Sequence, residues 1–139
     1  MKLKTYLLVL GLVITCWMTI SGFQKKPPFD LKSSVARGRE LYITYCLSCH
    51  LDKGEGIEGI YPPLAKSDYL MADKNRAIRQ IIYGVTGEMV VNGKTYNGFM
   101  AGVDLPDKEV SDLMNYICNS FENKGGVTTP EQVAAQRKK

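Results

Sequence analysis

A single histidine, His50, in 139 residues is the most restrictive scarcity in this chain. It excludes any two-histidine metal site within the chain and leaves no nucleophile, base and orienter that could be assembled into a catalytic set. Cysteine is nearly as scarce. Of four, Cys16 and Cys118 stand alone in apolar surroundings, so a four-ligand zinc site finds no second ligand pair. A membrane-spanning helix needs about 20 apolar residues, and the longest such stretch, 6–20, is short for one. No basic run occurs before Arg137-Lys138-Lys139, and the formal charge of +4 falls to +2 once Lys2 and Lys4 are set aside, which leaves no electrostatic footprint for nucleic acid. Internal repeats and low-complexity tracts are absent as well.

What is present is Cys46-Leu47-Ser48-Cys49-His50. Two thiols three apart, followed at once by an imidazole, form the attachment pattern of a c-type haem. On a helix, positions 46, 49 and 50 are i, i+3 and i+4 and share one face, so both thiols can meet the two haem vinyl groups while His50 reaches the iron. A thioredoxin-like pair would sit where a strand enters a helix, whereas the residues before Cys46 carry helical spacing. One covalent haem c is therefore expected.

The organisation around this motif divides into four parts. Lys2, Lys4, the apolar stretch and Ser21-Gly22 make 1–22 an export signal or an N-terminal membrane anchor. Cleavage, retention and lipidation at Cys16 all stay open, although Thr15 stands where a lipidation motif carries a smaller residue. Each outcome puts the haem outside the cytoplasm, periplasmic and either soluble or tethered to the membrane. Segment 23–32, with Pro27-Pro28, reads as a polar tether. The haem domain is expected over 33–122, and 123–139 as a polar tail in which Thr129-Pro130-Glu131-Gln132 can start a short capped helix.

Within the domain, Ser33 or Ser34 can cap a first helix over 33–48, with Leu41, Tyr42, Tyr45 and Gly38 at helical spacing. An irregular glycine-containing loop leads to Tyr61-Pro62-Pro63-Leu64, then a helix over 74–83 that Asp73 caps and Gly84 ends. Asn92-Gly93 predicts a tight hairpin over 90–96. Val110, Leu113, Met114, Ile117 and Phe121 predict a last helix over 106–121. The class is mainly α with one short β-hairpin.

With one histidine, the second iron ligand is a methionine, a weaker donor or nothing. Met114 lies on the apolar stripe of the last helix, Met71 beside a helix start and Met89 in an alternating strand, all ordinary packing positions. Met100 differs: it sits in Tyr96-Asn97-Gly98-Phe99-Met100-Ala101-Gly102, read as a loop whose glycines let a sulfur approach a flat ring.

These residues carry a resemblance. Gly38, Tyr42 and Cys46, spaced by four and four, together with Leu113 and Tyr116, make 33–121 similar to a bacterial class I cytochrome c. That resemblance implies a small fold with crossed N- and C-terminal helices around one covalent haem, Gly38 and Tyr42 packing on Leu113 and Tyr116. It also implies that the Pro62 carbonyl holds the other imidazole nitrogen of His50. The approach to Met100 resembles the family's axial loop, with Ala101 where many relatives have proline. Asn119-Ser120-Phe121, Gly125-Gly126 and Thr129-Pro130-Glu131 further resemble domains that accompany bacterial dehydrogenases and reductases.

The expected function is one-electron transfer with His50 and Met100 as axial ligands, between redox partners such as a respiratory oxidase, reductase or dehydrogenase, by a carrier and not an enzyme. The alternative is a haem-based gas sensor or ligand-binding protein with an open or labile sixth position. Lys53, Lys66 and Lys94 are candidates to surround the haem edge and attract an acidic partner, against the plainer reading of a solvated surface. Cys118 reads as a buried free thiol.

Overall fold

The computed structural model describes residues 28–137; the export or anchor segment, Cys16, residues 23–27 of the tether and Lys138-Lys139 lie outside them. The elements run α1 (Leu31–Tyr45), α2 (Leu47–His50), α3 (Asp68–Ala72), α4 (Lys74–Tyr83), β1 (Gly84–Val91), β2 (Lys94–Ala101), α5 (Asp107–Asn119) and α6 (Pro130–Ala134). Helices dominate, and β1 and β2 pair as one antiparallel ribbon.

Asp30, not Ser33 or Ser34, caps α1: its carboxylate accepts from the Ser33 N–H at 3.0 Å, and the helix enters residues expected in the tether. Ser34 is buried instead, its hydroxyl donating to Asp112 at 2.6 Å. A hydroxyl committed to a buried carboxylate cannot also turn back to cap the helix. The α1 and α5 backbones then come into contact at Gly38, where an added Cβ would stand 1.9 Å from the Asp112 carbonyl oxygen and 2.8 Å from Tyr116 Cβ. Tyr42 is buried one turn on, its ring 5.3 Å from that of Tyr116 and 5.3 Å from that of Phe121. Phe121 is not on α5 as expected. The helix ends at Asn119, and Phe121 turns back through φ 55° to complete the aromatic cluster.

Along α5 the apolar stripe is buried as its spacing predicts, Val110, Leu113, Met114 and Ile117 forming the core with Ile78 and Leu105, and Cys118 is a buried free thiol. Asp112, on the side facing α1, accepts from Arg37 at 2.7 and 2.8 Å, from Lys108 at 2.8 Å and from Ser34. Burial pushes its carboxyl up, but the hydrogen bonds from Arg37, Lys108 and Ser34 outweigh that and hold it below the usual carboxylate range.

The segment expected as a tail is docked. Thr129 caps α6 in a reciprocal box with Gln132, as its sequence suggests, but Val133 is fully buried in the core cluster. Asn115 holds Thr128 by both its N–H (2.7 Å) and its carbonyl (2.8 Å), and Ser111 donates to the same carbonyl at 2.8 Å. Arg137 reaches Asp107 and the Leu105 carbonyl, each at 2.6 Å. One buried valine and paired buried amides outweigh the polar composition of the stretch.

Asp73 caps α4 and Gly84 ends it at φ 79°, as read from the sequence. The short α3, capped by Ser67, has no signature in the sequence, because five residues carry too little periodicity. Asn92-Gly93 makes the hairpin turn at φ 51° and 75°, but the strands extend to Gly84 and Ala101, well beyond 90–96. Met100 consequently lies in β2, paired with Val85, and not in a loop. Gly98 and Gly102 read as loop signals, yet Gly98 simply pairs with Gly87 in the ladder, where ladder hydrogen bonds need no side chain.

Candidate functional site

Alternation along the hairpin sends Val85, Met89 and Val91 of β1 and Tyr96, Gly98 and Met100 of β2 to one face. That face closes a cavity of about 540 Å³ whose other walls come from Cys46, Cys49 and His50, from Tyr61-Pro62-Pro63-Leu64, and from Leu113 and Ile117 of α5. The volume is in the range of cofactor pockets, roughly 300–1,000 Å³, and the walls are mostly apolar.

The attachment motif is not one unbroken helix. Cys46 stands between α1 and α2 at φ −120° and ψ −30°, yet its carbonyl accepts from both Cys49 N–H (3.2 Å) and His50 N–H (2.9 Å), so the i, i+3, i+4 relation survives the break. The chain leaves α2 through Leu51 at φ 63°, and the Leu51 carbonyl accepts from the Tyr42 hydroxyl at 2.6 Å. A buried side chain of α1 thus anchors the turn that follows the motif. Burial, with a lesser contribution from Cys49, pushes the Cys46 thiol up to about 11.

His50 is buried, and its Nδ1 lies 3.0 Å from the Pro62 carbonyl. A carbonyl can only accept, so Nδ1 carries the proton and Nε2 keeps its lone pair. Burial pushes the imidazole pKa down, against an upward push from that hydrogen bond, which favours the neutral ring a metal requires. Gly56 makes the geometry attainable. At φ 63° its N–H donates to the His50 carbonyl at 3.0 Å, and an added Cβ would lie 2.3 Å from the Tyr61 carbonyl oxygen and 2.8 Å from that of Pro62.

Among the methionines, the structure separates two pairs. Met114 is fully buried in the core and Met71 packs against it, whereas Met89 and Met100 both line the cavity. Met89 is therefore not a plain core residue. Strand geometry puts the two four residues apart along the ribbon, about 13 Å, so they offer their sulfurs at separate points of the cavity wall. Two thiols, a neutral imidazole and a thioether on the walls of one apolar cavity are the donor set that a covalent haem needs.

Tyr69 and Gln80 also line the cavity, with Gln80 donating to the Tyr69 hydroxyl at 2.9 Å and leaving the phenolic proton free for an acceptor. Neither residue belongs to a motif legible in the sequence. Gln80 lies between Ala77 and Ile81 on the cavity side of α4, and a polar residue inside an apolar stripe was the available signal. The lysines fit the plainer reading of a solvated surface: among the described residues no lysine or arginine lines the cavity, Lys66 pairs with Glu122 at 2.9 Å, and Lys94 pairs with Glu58 at 2.6 Å.

Comparison with known proteins bears on the same region. The family model for cytochrome c matches residues 35–120. Over 127 residues the chain is 32% identical to cytochrome c-552 of Thermus thermophilus, spanning 75% of this chain and 96% of that protein. A second cytochrome c-552, from a named strain of Thermus thermophilus, is 32% identical over the same 75% of this chain and 85% of its own length. The cytochrome c subunit of a quinone alcohol dehydrogenase from Gluconobacter oxydans is 25% identical over 62% of this chain and 18% of that protein.

Proposed function

The chain belongs to the cytochrome c family, a class I monohaem electron carrier with covalently bound haem c, and from that premise we propose that His50 and Met100 are its axial ligands. Cys46 and Cys49 form the two thioethers. The observation that carries the reading is the His50 Nδ1 to Pro62 hydrogen bond, which commits one imidazole nitrogen to the backbone and leaves Nε2 for iron. Met100 is preferred to Met89 because the cavity-facing position two before it is Gly98, whose missing side chain lets the backbone near the ring, whereas Met89 pairs with buried Tyr96. When bound, the haem supplies a ferric/ferrous couple that takes up or releases one electron without making or breaking a bond.

The protein's own part is to hold that group still. The Tyr42 hydroxyl, the Leu51 turn and the Pro62 carbonyl fix the His50 side, and the Asn92 tip of the hairpin is pinned by hydrogen bonds with Asp68 at 2.8 and 3.1 Å. Apolar walls exclude water and disfavour the extra positive charge of ferric haem. Tyr69 and Gln80 offer hydrogen bonds to the cofactor's carboxylates. The chain works as an extracytoplasmic carrier, not as an enzyme, between redox proteins such as a respiratory oxidase, reductase or dehydrogenase. The Gluconobacter relative, itself a dehydrogenase subunit, supports the last of these as donor.

Met100→Ala is the test. It should open the iron, so that the ferrous protein binds carbon monoxide, the weak long-wavelength sulfur-to-iron band of the ferric form disappears, and the reduction potential falls within the roughly 0.8 V that axial ligands span. Met89→Leu should leave all three nearly unchanged. The opposite pattern assigns the ligand to Met89, and a wild type that binds carbon monoxide readily replaces the carrier by a ligand-binding protein.

A further inference from the structure

The first N–H groups of a helix find no partner within it, and the opening turn of α3 meets them from two directions. Two are met locally, Leu70 N–H by the Ser67 hydroxyl oxygen at 3.2 Å and Tyr69 N–H by the Asp68 carboxylate at 2.6 Å. The third is met from the hairpin. Asp68 N–H donates to the side-chain oxygen of Asn92 at 3.1 Å, and Asn92 N–H donates back to the Asp68 carboxylate at 2.8 Å, closing a reciprocal pair across 24 residues of chain. Asn92 stands at φ 51° in the hairpin turn. Glycine would serve that turn as well, so turn geometry does not account for the amide.

The pair lies directly behind two walls of the cavity. Ser67, Tyr69 and Leu70 line it from α3 and Val91 from the hairpin, so Asp68 and Asn92 are chain neighbours of wall residues on both sides. The two ends of the ribbon are held differently. At its base, backbone meets backbone: a Cβ added to Gly84 would lie 2.8 Å from Gly102 N, one added to Gly102 would lie 2.5 Å from the Ile82 carbonyl oxygen, and Val103 N–H donates to the Ile81 carbonyl at 2.8 Å. Met100 is two residues from that base. At the tip, apart from the packing of Val91 and Tyr96, side chains alone tie the ribbon down. One tie is the Lys94–Glu58 ion pair, whose partners are 55% and 75% exposed, and such pairs contribute little. The other is Asp68–Asn92.

We propose that Asp68 and Asn92 are positioning residues for electron transfer: they hold the hairpin tip closed on α3, keep water from the cofactor along that seam, and so hold its reduction potential up. This rests on the haem-carrier reading above and adds to it the pair that controls hydration of that same site. Water admitted along the seam would solvate the extra positive charge of the ferric state and lower the potential. Met100, beside the fixed base, keeps its place whether the tip is closed or open. The pair therefore acts on the potential without acting on the ligand, and no bond or proton changes when the electron moves.

Asn92→Gly in the holoprotein is the test, because glycine adopts φ 51° freely and leaves the charge unchanged while removing the side-chain oxygen. At a fixed electrode potential its ferric-to-ferrous ratio should rise about threefold or more, with the sulfur-to-iron band of the ferric form as in wild type. Asp68→Ala should show the same rise relative to Asp68→Asn, which loses the same charge but keeps an acceptor oxygen. Independently of the redox state, hydrogen exchange at the Asp68 amide should quicken about tenfold in Asn92→Gly, the scale of one hydrogen bond, and stay at the wild-type rate in Glu58→Gln. Exchange at Asp68 that does not change in Asn92→Gly overturns the latch, and a ratio that does not move although exchange quickens overturns its hold on the potential. Loss of the sulfur band in Asn92→Gly overturns the fixed base. A wild type that already binds carbon monoxide readily overturns the carrier reading, and this proposal with it.

Discussion

At Gly56, a hydrogen where other residues carry a methyl decides where the Pro62 carbonyl stands. Gly56→Ala must place a Cβ 2.3 Å from the Tyr61 carbonyl oxygen at a φ of 63°, so both strain and overlap act in one direction. The expected cost is about 2–3 kcal/mol of stability. The specific sign of a displaced Pro62 is a raised reduction potential, since an imidazole that loses its acceptor donates less to ferric iron; it is checked by redox titration. Asp112 makes a separate case. Its carboxyl is held low in the folded state, so its contribution is present above the unfolded value near 4 and is lost as pH falls through the lower folded value. Asp112→Asn should cost about 2–4 kcal/mol at pH 7, because Arg37 and Lys108 lose their acceptor, and should flatten the fall in Tm below about pH 4 that the wild type shows in thermal melts. The two residues differ in legibility. Gly56 announces itself only as one of several loop glycines, and Asp112 looks like an ordinary polar position on a helix; neither role can be seen without the partner that lies next to it.

Between elements, the crossing of α1 and α5 sets two effects against each other at Gly38. Replacing a helical glycine by alanine gains about 1 kcal/mol of propensity, and on an isolated helix that would decide the sign. Here the Cβ meets the Asp112 carbonyl oxygen at 1.9 Å, which no rotamer can relieve because backbone faces backbone. Overlap of this kind costs about 3 kcal/mol or more, so Gly38→Ala should lower Tm by several degrees and weaken the Tyr42–Tyr116 contact, measured by calorimetry and near-ultraviolet circular dichroism. The hairpin carries a different lesson. Asn92-Gly93 identified the turn, because left-handed φ at two consecutive positions demands such residues. The strand lengths were not legible: Gly84, Gly87 and Gly98 are loop signals in one dimension, and only the pairing of Gly87 with Gly98 turns them into ladder. Met100 was singled out through the wrong local structure, and alternation along β2 is what brings it to the cavity wall.

For the molecule as a whole, charge and compartment belong together. Residues 28–137 carry a formal −2 and residues 1–27 and 138–139 the excess lysine, which is the charge that the proposed export segment needs at its start. Export is tested by fusing a reporter after Lys139: one that works only outside the cytoplasm should be active, and one that works only inside should be silent. Holoprotein accumulating in the cytoplasm would falsify the assignment. Covalent attachment is checked on the same material, by a haem stain that survives denaturing electrophoresis and vanishes in Cys46→Ala with Cys49→Ala.

Cys46, Cys49 and His50 by themselves determined the cofactor and its mode of attachment, because that chemistry lies within five consecutive residues and needs no distant partner to be recognised. Helical periodicity determined α5 and most of α1 and α4 for the same reason: the signal repeats within each element. Tertiary structure alone decided that residues 127–137 join the core through Val133 and Thr128, that Lys66 and Lys94 are paired with Glu122 and Glu58, and that Met89 and Met100 both line the cavity. Those outcomes depend on residues far apart in the chain, and only the packed fold says which of them become neighbours.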